Sequence, residues 1–104
     1  MAGAIVQALG YSLLENMIQV NAELKTDSLT TYLVPTIMDI PAHFDPLVIE
    51  HPDPLGPYGA RGMAEMPFLP VAPAVVAALH DATGVWFYEF PLTPERVLRG
   101  LGRI

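Results

Sequence analysis

No cysteine occurs among the 104 residues. That absence excludes a disulfide framework, a cysteine-type zinc site and iron–sulfur ligation by this chain. Charge is scarce too: 15 % of residues are charged and 52 % hydrophobic, where soluble domains carry roughly 25 % charged residues. A domain this small has much surface to cover and few charges to cover it with. The composition therefore implies burial against other polypeptide or self-association. Basic residues are the scarcest. Up to residue 60, Lys25 faces seven acids (Glu15, Glu23, Asp27, Asp39, Asp45, Glu50 and Asp53), and the net charge is −6. From Arg61 onward four arginines meet four acids. No basic stripe is available for a phosphate backbone, so nucleic-acid binding is excluded. The opening Met1-Ala2-Gly3-Ala4 lacks the basic region of a signal peptide. No uninterrupted apolar run reaches the ~18 residues of a membrane span. The expectation is a cytoplasmic chain with no membrane segment.

The elements that are present read as an α+β fold. Apolar spacing predicts a helix over roughly Ala2 to Val20, with Ile5, Val6, Leu9, Leu13, Leu14, Met17 and Ile18 on one broad face. Gln7 falls at the edge of that face, where an amide must anchor a loop or meet a polar ligand. Gly3 and Gly10 are poor helix residues whose placement implies close approach of another group. With no N-cap ahead of it, this helix reads as truncated. Asn21 to Asp27 reads as a polar turn, and Ser28 to Val34, Phe44 to Glu50 and Val85 to Phe90 read as short strands. Eight of the eleven prolines lie between Pro41 and Pro73, which excludes long regular structure there and predicts an ordered, well-packed loop. A second helix is expected from Pro73 to about Thr83, ended by Gly84. Thr93-Pro94-Glu95 marks the start of a last one, with Val97, Leu98 and Leu101 inward.

One stretch draws the chemistry together: Gly59-Ala60-Arg61-Gly62-Met63-Ala64-Glu65-Met66-Pro67. It sets a carboxylate, Glu65, at the end of a small-residue run and before a proline-punctuated apolar segment. Such a carboxylate is either a candidate general base or ligand, or simply an acid beside a helix start. Other constellations are missing. The run lacks a P-loop ending, no Gly-x-Ser-x-Gly elbow occurs, and His43, His51 and His80 do not share the spacing of a helical metal site.

Four segments carry a resemblance, in sequence order. Gly3-Ala4-Ile5-Val6-Gln7-Ala8-Leu9-Gly10, continuing to Leu14-Glu15, is followed by Tyr32-Leu33-Val34-Pro35-Thr36 with Asp39 and Pro41. Then come Gly59 to Glu65, and finally Ala72-Pro73-Ala74 through His80-Asp81-Ala82-Thr83-Gly84 with Pro91-Leu92-Thr93-Pro94-Glu95-Arg96-Val97. Across essentially the whole chain this order resembles the C-terminal part of the molybdopterin-binding large subunit of the xanthine dehydrogenase/aldehyde oxidase/carbon monoxide dehydrogenase-like molybdenum hydroxylases.

The resemblance implies that residues 1–104 are a portion of one incomplete domain: a fragment with about three helices, short strands and a Pro/Gly-rich loop between the second strand and second helix. It implies Glu65 as the general base and Gln7 as a molybdopterin contact. Arg61, Gly62, Met63 and Ala64 would shape the pocket wall, and no side chain here is implied as a metal ligand. The implied reaction is oxidative hydroxylation of an aldehyde, N-heterocycle or similar small molecule. Molybdenum–molybdopterin would be shared with segments outside this chain, and iron–sulfur clusters and FAD would sit in partner chains or domains. The implied partners are the rest of the molybdenum-binding subunit and the iron–sulfur and flavin subunits, with the isolated chain inactive. Two departures stand out: family members commonly have Gly before the glutamate and Pro after it, where this chain has Ala64 and Met66. A non-catalytic remnant, self-associating as an α+β scaffold or homo-oligomer, is the competing expectation.

Overall fold

Three helices carry most of the regular structure in the computed structural model, which describes residues 1–104. The first, α1 (Ala2–Leu9), runs without a break into a wider π turn, Gly10–Leu14, closed by Glu15 N–H on the Gly10 carbonyl at 2.8 Å. It ends there rather than at Val20, because Glu15 turns to extended backbone. Ser12 contributes: its hydroxyl donates to the Ala8 carbonyl at 2.7 Å, a back-bond that loosens a helix ladder. Gly10 is required, since a Cβ would stand 2.6 Å from Pro35 Cδ and against the Glu15 carboxylate. Gly3 has no such neighbour within 4 Å in this chain.

The segment expected as a polar turn is the centre of a small hairpin. Strands β1 (Gln19–Val20) and β2 (Glu23–Leu24) pair antiparallel about Asn21 and Ala22, both in the left-handed region. This two-stranded ribbon is the whole of the sheet. The three longer strands expected from β-rich composition do not form. In 28–34 the Thr31 and Tyr32 N–H groups both donate to the Ser28 carbonyl, at 3.0 and 2.7 Å, so local turn bonds win over a ladder. In 85–90 Phe87 buries its ring against Gly100, but no neighbouring strand exists to pair with. In 44–50 the backbone finds no partner at all within the chain.

The proline-rich span contains only single turns, Pro57–Gly59 and Met66–Phe68, after another at Ile37–Asp39. The expected close packing is absent there: Leu47, Leu55 and Tyr58 stand in solvent because no element of the chain reaches over them. The helix ends follow their local signals, although the second helix begins at Val71, two residues ahead of the expected Pro73. Helix α2 (Val71–Thr83) stops at Gly84, left-handed at φ 74°. Helix α3 (Pro94–Gly100) opens on Thr93, whose hydroxyl accepts the Arg96 N–H at 3.3 Å. Of its apolar residues Val97 and Leu101 are half-buried, whereas Leu98 is exposed.

Taken together, Met66–Thr83 is an 18-residue stretch of mean hydropathy 1.2, which meets the length and composition of a membrane span. It is not one continuous apolar run, because His80 and Asp81 interrupt it. The regular helix within it has 13 residues. At 1.5 Å per residue that covers about 20 Å, short of a hydrocarbon core of about 30 Å.

Small residues form the core: Ala4, Ala8, Gly10 and Ser12 on the first helix, with Phe87, Pro91 and Leu92 from the far end of the chain. Leu92 N–H donates to the Ser12 carbonyl at 2.6 Å and ties the two regions together. Tyr11 packs its ring 5.7 Å from that of Phe68 and 5.4 Å from that of Phe90. Only seven of 104 residues are buried, and the accessible surface is 8137 Å². A folded chain of this mass exposes about 5,700 Å² by the usual scaling. The radius of gyration, 17.3 Å, likewise exceeds the roughly 13 Å of a compact domain this long. About 2,400 Å² of surface is thus in excess of what a self-contained fold shows.

Candidate functional site

Helix α1 and the turn at Met66–Phe68 pack together, and this contact builds the site. Gln7 projects from the exposed side of α1 and donates its amide Nε2–H to Glu65 Oε1 at 3.3 Å. Two motifs 58 residues apart thereby meet at one hydrogen bond. Glu65 is exposed in this chain and sits at φ −96°, ψ 6°, the sparsely populated bridge region that recurs in turns and active sites. Its carbonyl accepts from Phe68 N–H at 2.9 Å, and Met66 N–H donates to the Met63 carbonyl at 2.8 Å, so the carboxylate rides on a closed turn. Pro67 stabilises that turn from its first positions.

Arg61, Gly62 and Met63 lie to one side of this pair. They line a groove of ≈ 630 Å³ with Leu47, Val48, Ile49 and His51 opposite, within the range of about 300–1,000 Å³ found for small-molecule sites. Glu65, Gln7 and Ala64 do not line it, although Met63 and Met66 do. The structure therefore brings Gln7 to Glu65 and sets Arg61–Met63 beside an adjoining groove. It does not gather all six residues round one cavity.

The groove's far wall was not read from the sequence. Asp53 organises it: its backbone N–H donates to the Gly59 carbonyl at 3.1 Å and its carboxylate accepts from Leu55 N–H at 2.9 Å. Gly59, at φ 78°, is forced because a Cβ would stand 2.8 Å from Pro52 Cβ. This fold-back carries Arg61 next to His51. The Asp53-Pro54-Leu55-Gly56 run is a turn signal that could have revealed it.

The donors here are of one kind. No backbone or side-chain hydrogen bond within the chain uses the N–H groups of Arg61, Gly62, Met63, Ala64 or Glu65. Arg61 has no carboxylate within 4 Å, and nothing lies within 4 Å of where a Gly62 Cβ would be. No three His, Cys, Asp or Glu side chains converge to hold a metal ion. His80, apart from all this, stacks on Trp86 at 3.9 Å. Free amides, a guanidinium and open space suit an anionic group with several acceptor atoms.

Residues 1–41 match the family described as molybdopterin cofactor-binding domain. The chain is 37 % identical to the probable hypoxanthine oxidase XdhD of Escherichia coli (strain K12), over 98 % of this chain and 11 % of that one. It is 35 % identical to the aldehyde oxidoreductase of Megalodesulfovibrio gigas, over 95 % and 11 %. The crystal structure of quinoline 2-oxidoreductase from Pseudomonas putida 86 superposes with a TM-score of 0.87 at 37 % identity, over 97 % of this chain and 13 % of that one. The chain thus spans little more than a tenth of the length of these relatives.

Proposed function

The chain belongs to the family of molybdenum-binding subunits of the xanthine dehydrogenase and aldehyde oxidoreductase type, and from that premise we propose that it contributes the catalytic carboxylate and part of the cofactor pocket of a molybdenum hydroxylase. In this reading residues 1–104 are a C-terminal portion of the subunit. The rest of that subunit, with iron–sulfur and flavin partners, completes the enzyme. The substrate is an aldehyde, an N-heterocycle or a similar small molecule.

The Gln7–Glu65 hydrogen bond is the observation that carries the proposal. When bound, the molybdenum cofactor supplies the redox centre at which a substrate C–H becomes C–OH, with oxygen from water and two electrons withdrawn. The chain's own residues do the rest. Glu65 would take up a proton at Oε2, the oxygen that no group of the chain engages, while Gln7 holds Oε1. Gln7 keeps its side-chain carbonyl and second N–H for the cofactor. The free N–H groups of Arg61 to Glu65 and the Arg61 guanidinium would donate to its acceptor atoms. The surface left over by this fold is what the remaining polypeptide covers.

Glu65→Gln in the assembled enzyme tests this. Turnover falls by about 10²–10⁴-fold, the usual share of a general base, while molybdenum content stays at the parent level. Turnover equal to the parent's would remove Glu65 from the reaction.

A further inference from the structure

Pro41 to Pro52 makes no backbone hydrogen bond within the chain. Inside it Leu47, Val48 and Ile49 are 81 %, 71 % and 81 % exposed. These are residues with strand preferences, two of them β-branched, and their sequence reads as a strand. A run of this kind, apolar and with free N–H and carbonyl groups, is a template for pairing along a strand edge.

We infer that Phe44–Glu50 is a strand completed from outside, added to a sheet edge in the remainder of the molybdenum-binding subunit. The inference rests on the functional reading above, in that it takes this remainder as the partner. Two observations select it over a second copy. Relatives are roughly eight to nine times longer than this chain, which spans 11–13 % of them. The excess of about 2,400 Å² also exceeds the roughly 800 Å² one partner gives to a standard interface. Self-pairing is opposed by charge, because the first 60 residues carry seven acids and one base. The docked strand has a further consequence. Leu47, Val48 and Ile49 line the groove opposite Arg61–Met63, so pairing fixes the wall that faces the site loop.

Amide hydrogen exchange by mass spectrometry tests this on the Phe44–Glu50 peptide. It compares the free full-length chain with the chain co-expressed and purified with the rest of the subunit. In the free chain exchange runs near the intrinsic rate, and in the complex it slows by at least about 100-fold. Val48→Pro and Ile49→Pro each delete one donor, and successive donors point to opposite strand edges. At least one of the two therefore weakens assembly by about tenfold or more, whereas Val48→Thr, which keeps the N–H and the branching, does not. Fast exchange within a well-formed complex, or two proline variants that assemble like the parent, overturns the inference and leaves the catalytic reading intact. Concentration-dependent protection in the free chain also overturns it, in favour of a second copy. Failure of any complex to form removes the catalytic reading and this inference with it.

Discussion

Gln7 Nε2 stands 3.3 Å from Glu65 Oε1, across a 58-residue separation in sequence. The bond links the helix that the cofactor-binding family description covers to the turn that holds the carboxylate. Both side chains are exposed in this chain. The bond therefore orients a group more than it stabilises a fold.

Gln7→Met keeps the side-chain length and removes the donor. In the assembled enzyme kcat/KM drops by roughly tenfold, the low end for a hydrogen bond to a charged group. Stability changes by no more than about 0.5 kcal/mol, as for other surface substitutions. Steady-state kinetics with molybdenum content measured in parallel, plus denaturant unfolding, checks both. An unchanged kcat/KM would mean that the contact has no part in positioning Glu65.

Gly10→Ala drives a methyl group into the Pro35 ring and the Glu15 carboxylate. Proline cannot swing aside as a flexible side chain can, so the expected loss is about 1–3 kcal/mol. Gly3→Ala meets nothing within 4 Å in this chain and gains about 0.5–1 kcal/mol from helix preference. Urea unfolding of the two variants beside the parent gives opposite signs. The same sign in both would contradict the packing described at Pro35.

Asp39 caps the turn that follows Pro35. Its carboxylate accepts from Thr36 N–H at 2.7 Å and from the Thr36 hydroxyl at 2.8 Å. The backbone bond first, and the hydroxyl second, hold its pKa below the ordinary 3.8. A depressed value means that the contribution is present above pH 3.8 and is lost as pH falls through the folded-state value. Asp39→Asn therefore loosens this turn at neutral pH, and its difference from the parent shrinks in acid. Carboxyl chemical shifts followed from pH 6 down to about 2 report the titration directly. A midpoint at or above the ordinary value would remove the cap.

The helix ends were readable because their chemistry is local. Thr93, Pro94 and Gly84 each act within one turn of themselves, and the structure uses each in that way. Strands were over-read for the opposite reason. Val48 and Ile49 favour a strand, but a strand needs a neighbour, and no periodicity announces that the neighbour is missing. The start of the first helix was legible, and its end was not: Ser12 bonding back to Ala8 and a glycine wedged under Pro35 halted a pattern that ran on to Ile18. At the site, motif order pointed to Gln7 and Glu65, which do meet. The groove wall at Leu47 to His51 was hidden, because only the fold-back at Asp53 and Gly59 brings it to Arg61.

The bond from Leu92 N–H to the Ser12 carbonyl acts as a clasp. The π turn leaves that carbonyl outside the helix ladder, and the last third of the chain takes it up. Everything between residues 12 and 92 is then a closed loop, joined at its neck by a non-covalent rivet in the small-residue core. A backbone cut in the exposed proline-rich span would give two fragments that still hold each other through this neck. Removal of the segment after Phe90 would instead open the loop at this neck and leave the helix that carries Gln7 held by its packing on the Met66–Phe68 turn and on α2.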